Sequence, residues 1–274
     1  MVFVVKVPGI NGLGKTEGCR NSGNAILKAL YEIHSNEQGK PLEVKNLDLE
    51  EIHLDNSNLE YSNELIYKNS FETFEEKEKV VFLGGDHSIS YSLVKGFLDH
   101  CNNSDETKEA KEPCLIVFDA HADCMKYFKE PTNEGWLRAL IEEGFPVEGI
   151  LLVGVRNMWK EEVEFLHSKK IKTISINSFV DDFESVCDSI MEFASGKELY
   201  VSFDIDFIDP AFAPSTNHLE PGGLSARETI FLIQRISKMK NLKGFDLVEI
   251  NSEKDMEKNN VTVKLGAKIL SELI

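Results

Sequence analysis

The chain alternates short apolar runs, rich in β-branched residues, with longer amphipathic stretches. Eight of the apolar runs are predicted to be strands. They are residues 2–5, 42–47, 79–85, 114–120, 150–155, 171–176, 199–206 and 242–250. Apolar positions at helical spacing predict helices between them. These helices are residues 24–34, 90–100, 134–144, 161–170, 183–193 and 226–239.

Strands that are apolar throughout and alternate with helices are typical of a parallel sheet covered by helices on both faces. Because the composition does not change along the chain, we expect one domain over residues 1–274. An open, doubly wound sheet is the first interpretation. A closed barrel of eight strand–helix units stays open as the alternative, since the sequence does not show strand order. The polar segment 102–113 is expected to be an exposed connection.

The composition limits the kinds of molecule and membrane that the protein is expected to bind. The chain has 274 residues and a formal net charge of −17, which disfavours nucleic acid and anionic membranes because both attract basic surfaces. No apolar run is long enough to cross a bilayer, and the first residues lack the pattern of a signal peptide. The five cysteines are scattered without Cys-x-x-Cys spacing, which predicts reduced thiols in a cytoplasmic protein.

Aspartates and histidines are concentrated where three predicted strands end, in "GGDHS", "DAHAD" and "SFDIDFIDP". The candidate ligands are His87, Asp119, His121, Asp123, Asp204 and Asp206. Side chains two apart in an extended segment share a face, and the carboxyl ends of parallel strands meet at one edge of the sheet. Burying these carboxylates together without counter-charge would be costly, and a bound cation removes that cost.

Four carboxylates and two imidazoles exceed what one divalent metal with an open coordination position requires. Two metals that share bridging carboxylates would use all the ligands and leave room for a bridging water. Oxygen-rich ligation with some imidazole favours Mn²⁺, with Fe²⁺ or Co²⁺ as alternatives, over zinc. In the other interpretation each aspartate only caps a helix or closes a turn, and no metal is bound.

The same three segments resemble the signature segments of the ureohydrolase family, which includes arginases, agmatinases, guanidinobutyrases and formimidoylglutamases. The resemblance extends from the glycine-rich start of the chain to "FDLVEIN" near its end. It implies a three-layer α/β/α sandwich with an eight-stranded, mainly parallel sheet. It also implies a centre of two Mn²⁺ ions per chain and a homo-oligomer, either a trimer or a hexamer.

The resemblance further implies a role for each candidate ligand. His87 and Asp123 would bind one metal, whereas His121 and Asp206 would bind the other. The two carboxylates that would bridge the metals are Asp119 and Asp204. A hydroxide held between the metals would attack the guanidinium carbon of a small cationic substrate and release urea and an amine. Asp246 matches a family position that looks structural.

Two further positions concern the substrate. Glu249, in "LVEIN", matches the family glutamate that pairs with the guanidinium group. Many members carry a histidine proton carrier after the second signature segment, but Asn133 stands there and cannot act as a general acid. The candidates to replace it are His218, in "PSTNHLEPGG", and Glu134. In the other interpretation His218 is a solvated loop histidine and Glu134 is a residue favoured at the start of a helix. A metal-binding homologue without hydrolytic activity therefore stays open.

Between Gly9 and Thr16 the chain also matches the phosphate-loop pattern G-x-x-x-x-G-K-[ST]. A phosphate loop leads directly into a helix whose first N–H groups hold the phosphate. Here "EGCRNSGN" separates the loop from the next predicted helix, and a nucleotide site would leave the carboxylates unexplained. Nucleotide hydrolysis is therefore the remote alternative, and we expect the loop to be a wall of the site or a turn.

Overall fold

The computed structural model describes residues 2–103 and 111–274. Its strands are β1 (Phe3–Lys6), β2 (Asp48–Glu51), β3 (Val80–Leu83), β4 (Pro113–Phe118), β5 (Ile150–Val153), β6 (Lys172–Ile174), β7 (Glu198–Asp204) and β8 (Leu242–Val248). They form one eight-stranded sheet in the order β2-β1-β3-β8-β7-β4-β5-β6. Every pairing is parallel. Because β2 and β6 are free edges, the sheet is open and the barrel alternative is wrong.

Helices cover both faces of the sheet. They are α1 (Ser22–Leu30), α2 (Leu59–Glu76), α3 (Ile89–Asn102), α4 (Trp136–Glu142), α5 (Lys160–Lys169), α6 (Ile176–Asp181), α7 (Phe183–Phe193), α8 (Ala226–Ser237), α9 (Ser252–Met256) and α10 (Val261–Leu273). Helices α1, α7, α8 and α10 pack on one face and α2 to α5 on the other, each set with its own apolar core. The predicted three-layer α/β/α fold is confirmed. None of the helices within the described ranges is long and apolar enough to cross a membrane.

Seven of the predicted strands overlap observed ones, but the second is wrong. Its residues include a short 3₁₀ turn, Val44–Asn46, and the strand is β2, immediately after it. Strand β2 is an edge strand, largely exposed and acidic, so no apolar run marks it. Its position is set by backbone pairing with β1, and Lys77 Nζ lies 2.9 Å from Asp48 Oδ2 beside it.

Two long helices, α2 and α10, are absent from the predicted elements. The buried face of α2 alternates Ser62, Ile66, Ser70 and Phe74, so small polar residues interrupt its apolar stripe. They allow α2 to pack closely on α3, where a Cβ built on Gly96 would lie 2.2 Å from Ser70 Oγ. Helix α10 is mostly buried, and its polar strip is narrow, with Lys264 exposed and Lys268 partly exposed.

The predicted connection 102–113 overlaps the end of α3 and the start of β4. Its middle, residues 104–110, lies outside the described residues.

The sheet order determines where the candidate residues lie. Strands β3, β8, β7 and β4 are neighbours in the middle of the sheet, and the candidate ligands follow their carboxyl ends. The loops that follow the flanking strands β1 and β5 border the same edge. This is the position at which open parallel sheets bind ligands.

Candidate metal and substrate site

Five of the six predicted metal ligands, all but Asp204, come together in two overlapping groups. The ligand atoms of His87, Asp119 and Asp123 all lie within 4.8 Å of one another, and so do those of Asp119, His121 and Asp206. Asp119 belongs to both groups. All of these side chains are buried except that of His121, which is partly exposed.

The first group has the spacing of ligands around a cation. His87 Nδ1 lies 3.0 Å from Asp119 Oδ2, 2.9 Å from Asp123 Oδ2 and 3.2 Å from Asp204 Oδ2. Ligands about 2.1 Å from an octahedral metal lie roughly 3 Å from one another. Among the described residues, neither His87 Nδ1 nor Asp119 Oδ2 has a hydrogen-bond partner, although both atoms are buried. These donors therefore fit a divalent cation placed between them.

The second group shares Asp119 through its other oxygen. His121 Nδ1 lies 2.9 Å from Asp206 Oδ2 and 3.5 Å from Asp119 Oδ1. Asp119 thus presents Oδ2 to the first group and Oδ1 to the second. The two groups are therefore joined through one carboxylate, whose Oδ1 also accepts a hydrogen bond from His121 N.

The ligands converge through tight turns, and not through the strand alternation that the sequence analysis assumed. Strand β4 ends before Asp119, whose Oδ1 accepts a hydrogen bond from His121 N at 2.6 Å. Asp204 Oδ1 likewise accepts from Asp206 N at 2.7 Å. Asp123 has a positive φ of 50°. The side chains therefore meet because the backbone folds back after each strand.

The buried charges of the site are unbalanced. Burial and the charge of Asp119 raise the pKa of Asp123 to about 7. Burial and neighbouring carboxylates also raise the pKa of Asp204 and of Asp206. Burial disfavours the charged form of His121, but Asp119 and Asp206 outweigh it and raise the pKa of His121 to about 12. Cations or protons must balance this cluster of carboxylates.

A buried polar network fixes the orientation of His87. Its Nε2 lies 2.9 Å from Ser202 Oγ, which donates to Asp246 Oδ1 at 2.8 Å. The Tyr200 and Ser90 hydroxyls donate to Asp246 Oδ2 at 2.9 and 2.8 Å. The structural role expected of Asp246 is confirmed: it lies behind the site and keeps Nδ1 of His87 facing the carboxylates.

Trp136, at the start of α4, supports the same group and is absent from the predicted site. It is fully buried, and its Nε1 donates to Asp123 Oδ2 at 2.8 Å. Its ring centroid lies 4.8 Å from that of His87. The only signal in the sequence is a tryptophan in the first turn of the helix predicted over 134–144, after the second signature segment. That position alone does not reveal what the side chain contacts.

Glu249 lies directly after β8 and is buried beside the ligands. Its Oε1 accepts hydrogen bonds from His87 N at 3.0 Å and from Asn133 Nδ2 at 3.4 Å. Its Oε2 lies 3.8 Å from the Cys19 thiol. Burial and the charge of Asp86 raise the pKa of Glu249 to about 8. Its φ of 63° is uncommon for a residue with a side chain, so the surroundings hold it in place.

Both candidate proton donors line the same cavity. His218 Nε2 lies 3.9 Å from Glu134 Oε1, and the His218 ring contacts that of His121 edge to face at 5.9 Å between centroids. Burial lowers the pKa of His218, and the nearby charges of His121 and Lys15 lower it further. Asn133 lies beside them in the cavity wall, with its amide turned to Glu249.

The cavity has a volume of about 510 Å³, in the range of small-molecule sites. Its lining contains Glu249 and the candidate ligands other than Asp119, and the remaining lining residues are called the rim. The rim residues are Lys15, Met125, Asn133, Glu134, Asn157, Met158, Trp159, Glu162 and His218.

The glycine-rich loop, residues 9–16, is not arranged to hold a phosphate. Asn11 N donates to Asp86 Oδ2 at 2.7 Å, and Gly12 N donates to Thr16 Oγ1 at 3.1 Å. The Thr16 hydroxyl itself donates to Asp86 at 2.6 Å. A 3₁₀ turn follows the loop, and α1 begins only at Ser22. Several of the loop's polar groups are therefore occupied within the protein, and the loop contributes Lys15 to the cavity wall.

Comparison with known proteins identifies the family of this chain. The family model described as "Arginase family" matches residues 2–274. The chain belongs to the arginase family. It is 30% identical to "Arginase 1, mitochondrial" of Arabidopsis thaliana over 200 residues, which is 73% of this chain and 55% of that protein. The chain thus spans about half the length of the plant arginases that it matches.

Another relative is matched over more of its length. The "N(1)-aminopropylagmatine ureohydrolase" of Thermus thermophilus is 29% identical over 255 residues, or 91% of this chain and 82% of that protein.

Solved structures share the fold. Proclavaminate amidino hydrolase from Streptomyces clavuligerus superposes with a TM-score of 0.86 at 23% identity, covering 99% of this chain and 90% of that one. Formimidoylglutamase from Bacillus subtilis gives 0.84 at 21% identity, covering 99% and 85%.

Proposed function

We propose that the chain hydrolyses a C–N bond of a linear guanidino or amidino compound and releases urea and an amine. The observation that carries the proposal is the pair of overlapping ligand groups that share Asp119, with Glu249 in the same cavity. The names of the relatives, arginase and N(1)-aminopropylagmatine ureohydrolase, support the same class of reaction. The chemistry needs a cation site, a carboxylate for the guanidinium and a proton donor.

The proposed cation site binds two Mn²⁺ ions, with Fe²⁺ or Co²⁺ as alternatives, because its donors are carboxylate oxygens and imidazole nitrogens. The residues that would hold them are His87, Asp119, His121, Asp123, Asp204 and Asp206. When bound, two such cations lower the pKa of a shared water and supply hydroxide near neutral pH. Burial and mutual repulsion raise the pKa of Asp123, Asp204 and Asp206, so the ionised carboxylates are costly without counter-charge, and bound cations would remove that cost.

Glu249 is proposed to bind the guanidinium group. Its Oε1 already accepts two hydrogen bonds, while Oε2 has only a long contact with the Cys19 thiol. A carboxylate has about four lone-pair sites, so acceptor capacity is left for the substrate's N–H groups. The fixed carboxylate would orient the planar guanidinium above the ligand groups, which favours attack on its central carbon.

In the proposed reaction a C–O bond forms at the guanidinium carbon as one C–N bond breaks, and the leaving nitrogen takes up a proton. We assign that proton transfer to His218, whose imidazole lines the cavity beside His121. Glu134, 3.9 Å from His218, is its partner or the alternative donor. The variants His218→Ala and Glu134→Gln distinguish the two donors, because loss of the true donor lowers kcat more than loss of the other residue. Neither change should remove the metals, since neither residue is a proposed ligand.

The test is product release by Mn²⁺-loaded protein from arginine, agmatine, 4-guanidinobutyrate, guanidinopropionate and guanidine, with urea measured. Formamide is measured for formimidoylglutamate, because cleavage of the same C–N bond there releases formamide and glutamate. We expect turnover of at least one compound. Glu249→Gln should lower kcat/KM about a hundredfold or more with metal content unchanged, because the guanidinium loses its ionic partner. Glu257→Gln, an exposed glutamate outside the cavity, is the matched control.

A second candidate function is metal binding without hydrolysis. Asn133 favours it, since this residue stands where many relatives carry the proton carrier. Two bound metals with no product from any of these compounds would support it and contradict the hydrolase proposal.

A further inference from the structure

The glycine-rich loop contributes one charged group to the site. Its backbone and the Thr16 hydroxyl are held inside the protein by Asp86 and by each other. Asp86 is fully buried, so this anchor fixes the position of the loop against the end of β3. Lys15, the residue before Thr16, is exposed and lines the cavity.

Lys15 is an available cation at the rim. Among the residues that line the cavity within the described ranges, it is the only lysine or arginine. No carboxylate oxygen of the described residues lies within 4.0 Å of its ammonium. Its charge reaches His218, since it contributes to lowering the pKa of that imidazole.

The acidic residues of the rim have other partners. Glu162 accepts hydrogen bonds from Cys124 N and Trp159 N, each at 2.9 Å, so it joins two loops. Glu134 lies beside His218. An anion that enters the cavity would therefore find in Lys15 a cation that is not already paired.

The rest of the rim suits an alkyl chain. Met125, Met158 and Trp159 line the cavity between its polar groups, and the Trp159 side chain is 67% exposed. A guanidinium at Glu249 would leave the methylene chain of a linear substrate against these residues. The far end of the substrate would then lie at the rim, where Lys15 is.

We propose that the substrate carries an anionic group, a carboxylate, at the end opposite its guanidino group, and that Lys15 binds it. This inference rests on the proposed function and specifies the substrate class. It favours guanidino acids over guanidino amines, because a terminal ammonium would meet the charge of Lys15 without gaining an ion pair.

The test compares 4-guanidinobutyrate with agmatine, which have a similar length and differ in the terminal group. For the Mn²⁺-loaded wild type we expect kcat/KM to be at least about tenfold higher for the acid. Lys15→Gln should raise KM for the acid about tenfold with kcat little changed, since it removes a charge-assisted hydrogen bond made before and during the reaction. Agmatine should change less than about twofold. Lys15→Glu should reverse the preference.

Lys264→Gln is the matched control, because Lys264 is exposed on α10 and does not line the cavity. The inference is overturned if the wild type prefers agmatine, or if Lys15→Gln affects both compounds equally. Calorimetry measures binding of 4-guanidinobutyrate to the same metal-loaded proteins without requiring hydrolysis. It therefore distinguishes failure of the Lys15 inference from failure of the proposed function. If nothing is hydrolysed, tighter binding of the acid by wild type than by Lys15→Gln still supports the role of Lys15. Equal binding contradicts it.

Discussion

At the residue scale, the candidate ligands depend on side chains that lie behind them. His87 is held through Nε2 by Ser202, and Asp123 is held through Oδ2 by Trp136. Ser202 contacts the ring nitrogen opposite the one that faces the cation site, whereas Trp136 donates to the Asp123 oxygen that itself faces the site. Removing such a partner leaves the ligand present but less well oriented, which commonly lowers metal affinity by one to two orders of magnitude.

We predict that Trp136→Phe lowers Mn²⁺ affinity about tenfold to a hundredfold, while the protein stays folded. Phenylalanine keeps the ring beside His87 but removes the N–H donated to Asp123. Competition with a chelator of known affinity measures the change, and circular dichroism checks the fold. An affinity equal to that of the wild type would mean that Trp136 only packs in the core.

These supporting residues show where sequence interpretation stops. The candidate ligands could be predicted because each follows a predicted strand and carries a chemically distinctive side chain. Ser202 and His87 are 115 positions apart, and their contact depends on β3, β8 and β7 being neighbours in the sheet. A serine or tryptophan in an apolar stretch has no pattern that reveals such a contact.

At the scale of elements, apolar strands were predictable because both faces of a central parallel strand are buried. Strand β2 is not predictable in this way, since its side chains are mostly exposed and only backbone pairing defines it. Helix α2 is not predicted either, because the polar residues Ser62 and Ser70 occupy positions on its buried face. Close packing between helices α2 and α3 selects small residues there, and small polar residues weaken the apolar periodicity.

The contact between α2 and α3 predicts that a glycine-to-alanine change inside a helix lowers stability, whereas such a change usually raises it. Alanine in a helix interior is normally up to about 1 kcal/mol more favourable than glycine. A Cβ on Gly96 would lie 2.2 Å from Ser70 Oγ and 3.0 Å from Phe71 N. We therefore expect Gly96→Ala to lower the free energy of unfolding by about 1–3 kcal/mol, measured by urea denaturation.

Ser70→Ala in the Gly96→Ala background should recover part of this loss, because it removes the nearest atom in the clash. An increase in stability on Gly96→Ala alone would show that the helices separate without cost.

At the scale of the whole molecule, ionisable side chains are buried or partly buried near both ends of the sheet. Carboxylates are concentrated at the carboxyl ends of the strands, within a chain of net charge −17. At the amino end, Lys79 precedes β3 and donates to Leu273 O at 3.0 Å. Burial and the charge of Lys40 lower the pKa of Lys79 to about 8. The folded state therefore disfavours a proton on Lys79.

The sign of the effect on stability follows from this lowered pKa. Between about pH 8 and pH 10.5 the unfolded chain holds the Lys79 proton and the folded protein has released it, so stability rises with pH. We expect wild type to gain up to about 3 kcal/mol of unfolding free energy relative to Lys79→Met across this interval. Urea denaturation of both proteins at several pH values measures the difference. A difference that does not change with pH would contradict the lowered pKa.

The measurement that tests the account most directly is a Mn²⁺ titration of chelator-treated protein, with bound metal and urea release followed in the same samples. We predict that urea release from the accepted guanidino compound appears as the bound metal approaches two ions per chain. Asp119→Asn, which alters the ligand common to both groups, should bind less metal and release little urea. Full urea release by metal-free protein, or none with two ions bound, would contradict the account.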